Sequence, residues 1–219
     1  MWYTELIDIF HKNRDETKAA PMAAYMKHKF SYLGIPKPIR TGLQKDFIKA
    51  ARKQKALDWE MVNMLWALPE REFQYLVLDY LLALSMSLVL EDIERIKMLI
   101  TSKSWWDTVD MLASNIVGAM CVKHPELVSS HILKWAESDN IWLVRTATLF
   151  QLKYKTKTDT ELLARVIGIN NLSQEFFINK AIGWALREYS KTDPEWVRQF
   201  LAVHQLHPLS VREASKYIP

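Results

Sequence analysis

The chain has 219 residues, of which 49% are hydrophobic and 25% charged, and its formal net charge at pH 7 is +4. This balance is typical of a globular protein with a sizeable core and argues against disorder. Only five glycines are present, fewer than an all-β fold needs, and neither G-x-x-x-x-G-K-S/T nor G-x-G-x-x-G occurs. We therefore expect a helical protein that binds no nucleotide cofactor.

Cysteine usage and hydropathy indicate the compartment. The single cysteine, Cys121, cannot form an intramolecular disulfide, and with six scattered histidines it provides no spacing typical of a zinc site. Residues 1–16 carry acids early and lack a long apolar core, and no run of about 18 apolar residues could span a membrane. We expect a soluble, cytoplasmic protein without a signal peptide, a metal ion or a membrane contact.

Apolar residues recur at helical spacing along almost the whole chain, and no convincing period-2 segment interrupts them. Helix-start signals, such as Asp193 followed by Pro194, separate the helical segments. We predict helices near residues 2–13, 17–30, 37–54, 58–67, 70–87, 91–101, 105–122, 126–137, 140–155, 159–168, 174–190, 194–204 and 209–217. No long linker separates them, so residues 1–219 are predicted to form one all-α domain.

A step of 35 residues connects similar positions of several predicted helices. The series consists of Arg40, Tyr75, Asp110, Arg145 and Lys180, and Arg212 follows after 32 residues. A helical-hairpin repeat of this length is typical of an α-solenoid, in which equivalent residues of successive repeats line one surface. TPR-like, HEAT-like and armadillo-like stacks all fit this spacing.

Basic residues dominate the surface that this series would line. They are Lys27, Lys29, Lys37 and Arg40 in the N-terminal half, and Arg145, Lys153, Lys155, Lys180, Arg187, Lys191, Arg212 and Lys216 in the C-terminal half. Any one of them can belong to a solvated helix face, whereas together they can form a groove that neutralises phosphates. Asp110 interrupts the series, and a carboxylate there repels a phosphate backbone. We therefore expect Asp110 to have a role that basic residues cannot fill.

The segment that contains Asp110 begins with a helix-start pattern. Residues 104–107, Ser-Trp-Trp-Asp, fit a capping box in which Ser104 caps the helix and the Asp107 carboxylate bonds back to a free amide. The capping box does not explain Asp110, which lies one turn further on. Helical spacing places an apolar stripe of the same helix in the core. The stripe consists of Trp105, Val109, Leu112 and Ile116.

Trp106 and Asp110 lie four residues apart and share a second face of this helix, with the small Ala113 beside them. Two interpretations stay open. The Asp110 carboxylate can pair with an arginine of the next repeat, such as Arg145. Alternatively, the indole and the carboxylate can form a small site for a flat cation, since both stabilise positive charge.

Gly183 precedes Trp184 in the middle of a predicted helix. A glycine there is about 1 kcal/mol less favourable than alanine, so its presence indicates that another group approaches closely. Trp184 can belong to the core or supply a further wall of the site.

Four segments resemble the bacterial DNA alkylation repair glycosylases of the AlkD type. They are PMAAYMK (21–27), KSWWDTVD (103–110), SDNIWLVRTATLFQLKYK (138–155) and EFFINKAIGWALREYSK (175–191). The resemblance covers essentially the whole chain and implies a superhelix of HEAT-like repeats whose concave basic face binds double-stranded DNA. It also implies excision of N3- and N7-alkylated purines, such as 3-methyladenine and 7-methylguanine, by a monofunctional enzyme without a base-flipping pocket. We expect such an enzyme to act as a monomer and without a cofactor.

The resemblance implies roles for particular residues. Asp110 matches the catalytic carboxylate, and Trp106 and Trp184 match the aromatic walls of its cleft. Arg145 matches a position that contacts the DNA backbone near the lesion, and Tyr25 one that lines the same site. With the basic surface, this predicts DNA contacts from Tyr25, Arg145, Lys153, Arg187, Lys191 and Arg212. The sequence ends with REASKYIP, so we expect a short C-terminal tail of the relatives to be absent.

A rival interpretation comes from another functional class. Helical solenoids are often scaffolds, and the same basic surface could bind DNA or a protein partner without chemistry. A damage sensor that binds DNA without cutting it would share that surface. Asp110 discriminates between these classes, because a scaffold does not need an unpaired acid beside two indoles.

Overall fold

The computed structural model describes residues 3–218. Within that range the chain forms helices, turns and one isolated β-bridge between Ser31 and Glu70, without a strand. The all-α fold that the hydropathy pattern predicts is therefore confirmed. The helices belong to two compact units, which meet in sequence between Leu88 and Val89. One domain over 1–219, the superhelical shape and the concave face stay predictions.

The first unit is built from helices of seven to thirteen residues. They are α1 (Thr4–Lys12), α2 (Glu16–Tyr25), α3 (Lys37–Leu43), α4 (Lys45–Gln54), α5 (Trp59–Ala67) and α6 (Arg71–Ala83), followed by a 3₁₀ turn at Ser85–Ser87. Phe10 and Phe73 stack in its core with ring centroids 5.5 Å apart, and Leu33, Met61 and Leu76 are fully buried.

The second unit holds the longer succession of helices. They are α7 (Asp92–Thr101), α8 (Trp106–Met111), α9 (Gly118–Lys123), α10 (Leu133–Ala136), α11 (Ile141–Leu149), α12 (Thr160–Asn170), α13 (Phe176–Tyr189), α14 (Pro194–Val203) and α15 (Pro208–Ala214). Helices α8, α11, α13 and α15 pack in succession, each against the next. Their shared core includes Val144, Ile182 and Leu186.

Several predicted helices end earlier than their hydropathy pattern indicates. The helix predicted at 17–30 ends at Tyr25, because Lys27 and His28 adopt left-handed φ angles of 56° and 53°. The helix predicted at 37–54 is divided at Gln44 into α3 and α4. The one predicted at 140–155 ends at Leu149. The predicted start at Trp2 lies outside the described residues.

The helix that begins at Trp106 contains a π-helical segment, Leu112–Val117, between α8 and α9. Within this segment the Ser114 hydroxyl donates to the Asp110 carbonyl at 2.8 Å. Gly118, directly after the segment, is tightly confined: a Cβ there would lie 2.4 Å from the Phe150 carbonyl oxygen. Such segments occur often beside functional sites, and this one follows Asp110 by two residues.

The 35-residue step corresponds to contacts between neighbouring helices. In the first unit, the Arg40 guanidinium lies over the Tyr75 ring, 4.8 Å from its centroid, and the Gln44 amide donates to Asp79 at 2.7 Å. Each pair is 35 residues apart in sequence. Equivalent positions of consecutive helical pairs therefore touch one another, as expected for a stacked repeat.

A buried carboxylate organises the loop before α3. The Glu72 oxygens accept three backbone N–H bonds, from Leu33 at 3.0 Å, Gly34 at 2.9 Å and Ile35 at 3.1 Å. Arg71 is also fully buried, and its guanidinium lies 3.8 Å from the centroid of the Phe30 ring. Two adjacent charged residues at the start of α6 are thus placed inside the unit, where each has partners.

Replacing Glu72 removes the acceptor for three buried N–H groups. Because each unsatisfied buried donor costs roughly 1–3 kcal/mol, we expect Glu72→Ala to lower the free energy of unfolding in urea by about 3 kcal/mol. Glu70→Ala is the control, since the Glu70 side chain makes no capping bond, and it should change stability by less than about 0.5 kcal/mol. Equal stability of the two variants would contradict this role for Glu72.

Candidate active site

The helix that carries Asp110 starts differently from the capping-box prediction. Trp105, with an extended backbone, occupies the cap position, and no side chain caps α8. The Ser104 hydroxyl donates instead to the Ile100 carbonyl at 2.7 Å, at the end of α7. The predicted cap by Ser104 is therefore wrong, because the preceding helix uses that hydroxyl. Asp107 does lie in the first turn of α8, where the helix dipole favours a carboxylate.

The predicted apolar stripe faces the core. Val109, Leu112 and Ile116 are buried. Trp105 is partly buried, and its ring lies 5.7 Å from that of Trp142 and 5.0 Å from that of Phe177, centroid to centroid. The stripe therefore anchors α8 in the core, while Trp106 and Asp110 lie on a different face of the helix.

Asp110 forms a bidentate ion pair with Arg145. Arg145 Nε lies 2.6 Å from Asp110 Oδ1, and Nη2 lies 2.8 Å from Oδ2. Arg145 Nη1 donates to the Phe177 carbonyl at 2.6 Å, so α8, α11 and α13 meet at one guanidinium. The Arg145 side chain is 6% exposed and that of Asp110 is 13% exposed. Of the two interpretations of Asp110, the pairing with Arg145 is the one observed, and Asp110 is not an unpaired acid.

The Asp110 carboxylate is held in a low-dielectric environment. Burial raises the pKa of the Asp110 carboxyl, the Arg145 guanidinium opposes that increase, and Asp107 adds to it. Poor solvation strengthens the field of a carboxylate at any cation that comes near it. Bidentate hydrogen bonding fixes where both oxygens point.

A cavity of about 250 Å³ adjoins this ion pair. Its lining combines aromatic and charged side chains: Trp106, Arg145, Phe176, Phe177, Lys180, Trp184, Arg187 and Glu213. The predicted walls, Trp106 and Trp184, thus line the same cavity, whereas Asp110 does not line it and is bound to the lining residue Arg145. Phe176 and Phe177 were not predicted for the site, although the Phe pair at the start of α13 was visible in the sequence.

Gly183 permits a close contact between α13 and α15. A Cβ at Gly183 would lie 2.5 Å from the Glu213 Cβ and 2.8 Å from the Ser210 carbonyl oxygen. The predicted close approach is therefore confirmed, and the approaching group is helix α15. This contact brings Glu213 to the cavity edge beside Trp184.

The remaining predicted DNA-contacting residues are more dispersed. Arg187 lines the cavity. Lys153 is exposed and donates to the Asn115 side chain, and Lys191 is exposed and pairs with Glu188 at 2.6 Å. Arg212 is exposed, and within residues 3–218 it has no ion pair. Tyr25 is exposed at the end of α2, in the first unit.

Between residues 3 and 218, no three His, Cys, Asp or Glu side chains are grouped so that they could hold a metal ion. No helix in that range combines the length and apolar character needed to cross a membrane.

Comparison with known proteins assigns the chain to a family. The model of the DNA alkylation repair enzyme family matches residues 6–218. The chain therefore belongs to the DNA alkylation repair enzyme family, which supports a role in DNA repair. A comparison with curated proteins gives no significant match.

Two solved structures are similar to this chain. One is a predicted DNA alkylation repair enzyme from Enterococcus faecalis, with 35% identity, a TM-score of 0.86, and coverage of 94% of this chain and 97% of that one. The other is smu.31 from Streptococcus mutans, with 20% identity, a TM-score of 0.59, and coverage of 82% and 98%. The second similarity concerns the fold alone.

Gly183 and Gly168 allow a matched test of the α13–α15 contact. Gly183→Ala forces a methyl group against the α15 backbone, and overpacking of this kind costs about 1–3 kcal/mol, so we expect lower stability in urea. A Cβ at Gly168, in α12, meets nothing within 4 Å, so Gly168→Ala should be neutral or raise stability by up to about 1 kcal/mol. A Gly183→Ala protein as stable as Gly168→Ala would contradict the close contact.

Proposed function

We propose that the protein is a DNA glycosylase that hydrolyses the N-glycosidic bond of N3- and N7-alkylated purines in duplex DNA. The observation that carries the proposal is the buried Asp110 carboxylate, held by both oxygens on Arg145, which lines a cavity together with Trp106 and Trp184. Membership of the DNA alkylation repair enzyme family supports the same conclusion. Alkylated double-stranded DNA is then the partner, and a cytoplasmic monomer is the form we propose.

The chemistry of the lesion determines what the site must supply. Alkylation at N3 of adenine or N7 of guanine makes the base cationic and therefore a good leaving group, which needs little help from a general acid. Positive charge moves onto the deoxyribose as the bond breaks, and a fixed carboxylate stabilises that charge. Opposite charges about 4 Å apart interact by about 4 kcal/mol at an effective dielectric constant of 20, roughly a thousandfold in rate.

Arg145 limits the ways in which Asp110 can act. Both carboxylate oxygens accept hydrogen bonds from the guanidinium, which disfavours rotation of the carboxylate toward the sugar as a covalent nucleophile. We assign Asp110 the electrostatic stabilisation of the sugar cation and the orientation of the attacking water. Because Arg145 uses three of its five N–H donors on Asp110 and Phe177, we assign it first to holding Asp110, and its contact with the DNA backbone remains a proposal.

The cavity suits a sugar and its phosphate better than a base. Indole faces attract cations, and Trp106 and Trp184 both line the cavity. Glu213, the lining residue that could accept bonds from a purine edge, already binds Lys180 and Arg187 with its two oxygens. These features support recognition from the backbone side, with the lesion base outside the cavity.

The proposed reaction leaves the DNA strand intact. Lys180 lines the cavity, and its Nζ donates to Glu213 at 2.8 Å, so this amine is bound to a carboxylate and is not assigned as a nucleophile. A monofunctional glycosylase is therefore proposed. Phosphates outside the cavity are assigned to the exposed Lys153, Lys191 and Arg212, and Tyr25 remains a predicted DNA contact.

Asp110→Asn should lower the single-turnover rate of 7-methylguanine release from duplex DNA by at least about a hundredfold, because the charge is lost while the shape is kept. Asp107→Asn is the matched control, one turn earlier on the same helix, and should reduce the rate by less than about threefold. The release of free base is measured by chromatography, and the affinity of each variant for duplex DNA is measured in parallel.

Two outcomes would contradict the proposal. An Asp110→Asn protein that excises at the wild-type rate would exclude the catalytic role of Asp110. A wild-type protein that binds methylated duplex and releases no base would favour the scaffold or damage sensor.

A further inference from the structure

Three cations converge on one buried carboxylate at the edge of the cavity. Lys180 Nζ lies 2.8 Å from Glu213 Oε1, while Arg187 Nη1 lies 2.7 Å and Lys216 Nζ 2.8 Å from Oε2. The Glu213 side chain is only 7% exposed. Hydrogen bonds from Lys180 and Lys216 lower the pKa of the Glu213 carboxyl to about 2, so the carboxylate stays charged at every physiological pH.

The three cations are not equivalent in position. Lys180 and Arg187 lie on α13, two turns apart, and line the cavity together with Trp184. Lys216 follows α15 and does not line the cavity. One carboxylate cannot neutralise three cations, so the group retains positive charge next to an open cavity. A single anion placed between Lys180 and Arg187 would reduce this excess positive charge.

Lys180 and Arg187 both keep N–H donors that are not bonded to Glu213. The bonds to Glu213 use one N–H of the Lys180 ammonium and one of the Arg187 guanidinium, out of three and five respectively. Both side chains are long and flexible when free, and holding them before a ligand arrives reduces the entropy lost on binding. Gly183 lies between them on the same face of α13 and lets Glu213 approach.

We propose that Glu213 is a positioning residue for Lys180 and Arg187. It holds the two cations so that both bind the same phosphate group of the DNA backbone beside Trp184. This inference rests on the proposed function, since it assigns the phosphate nearest the reacting sugar to this pair. Glu213 itself does not touch the DNA. Its effect is exerted through the two cations.

The direction in which Glu213→Gln changes DNA affinity distinguishes a positioning role of Glu213 from a simple effect of its charge. Glu213→Gln removes a negative charge beside the cavity, so charge alone predicts tighter binding of DNA. Loss of positioning predicts weaker binding, by about tenfold. Glu195→Gln makes the same charge change on α14, where Glu195 pairs with the exposed Arg198, a residue that is assigned no DNA contact, and should alter affinity by less than twofold.

The probe is duplex DNA that contains one tetrahydrofuran abasic analogue, which holds no base and cannot be processed. Its binding is therefore independent of glycosylase activity, and failure of this inference is distinguishable from failure of the proposed function. A Glu213→Gln protein that is folded by circular dichroism and binds the probe as tightly as wild type, or more tightly, overturns the inference.

A second experiment identifies the group that Lys180 and Arg187 bind. It also tests the inference if the Glu213→Gln protein does not fold. Lys180→Met and Arg187→Met should each weaken binding about tenfold. Replacing single phosphates of the probe by uncharged methylphosphonates should reveal one position, next to the analogue, at which both effects disappear. If the two effects persist at every methylphosphonate position, Lys180 and Arg187 do not share a phosphate and the inference is wrong.

Discussion

The bidentate ion pair between Asp110 and Arg145 is the interaction on which the rest of the site depends. It joins α8 to α11, and the bond from Arg145 to the Phe177 carbonyl adds α13. A buried carboxylate without such a partner would be strongly destabilising. With the partner, it is a fixed and poorly solvated charge at a defined place. The same interaction thus stabilises the packing of three helices and prepares the charge that the proposed chemistry needs.

The opposite side of the cavity depends on a steric constraint. Because Gly183 has no side chain, α15 approaches α13 closely enough for Glu213 to reach Lys180 and Arg187. Trp184, the next residue, also lines the cavity. Lys180 and Arg187 therefore form a cationic centre on one aromatic cavity, and the Asp110 carboxylate is bound to Arg145, which lines the same cavity. This arrangement matches a sugar that becomes positive next to a phosphate that is negative.

Helical periodicity and the 35-residue step could predict much of this from the sequence. They placed Trp106 and Asp110 on one face, and the step related Asp110 to Arg145 and Arg40 to Tyr75, which are in contact. The cap by Ser104 was mispredicted, because an earlier helix competes for the hydroxyl. Glu213, Phe176 and Phe177 could not be assigned to the site, since their roles arise from packing between α13 and its neighbours. The reaction was inferred from the family resemblance, because helical periodicity does not indicate which chemistry a site performs.

The most direct test of the central interaction is a double-mutant cycle on excision with Asp110→Asn, Arg145→Lys and the double variant, all verified as folded. Lysine keeps the positive charge but loses the bidentate fork. Single-turnover release of 7-methylguanine is the quantity measured. If Arg145 acts by holding Asp110, the double variant is no slower than Asp110→Asn alone. If the two losses multiply, the residues act independently, and the account of Asp110 and Arg145 as one catalytic unit is contradicted.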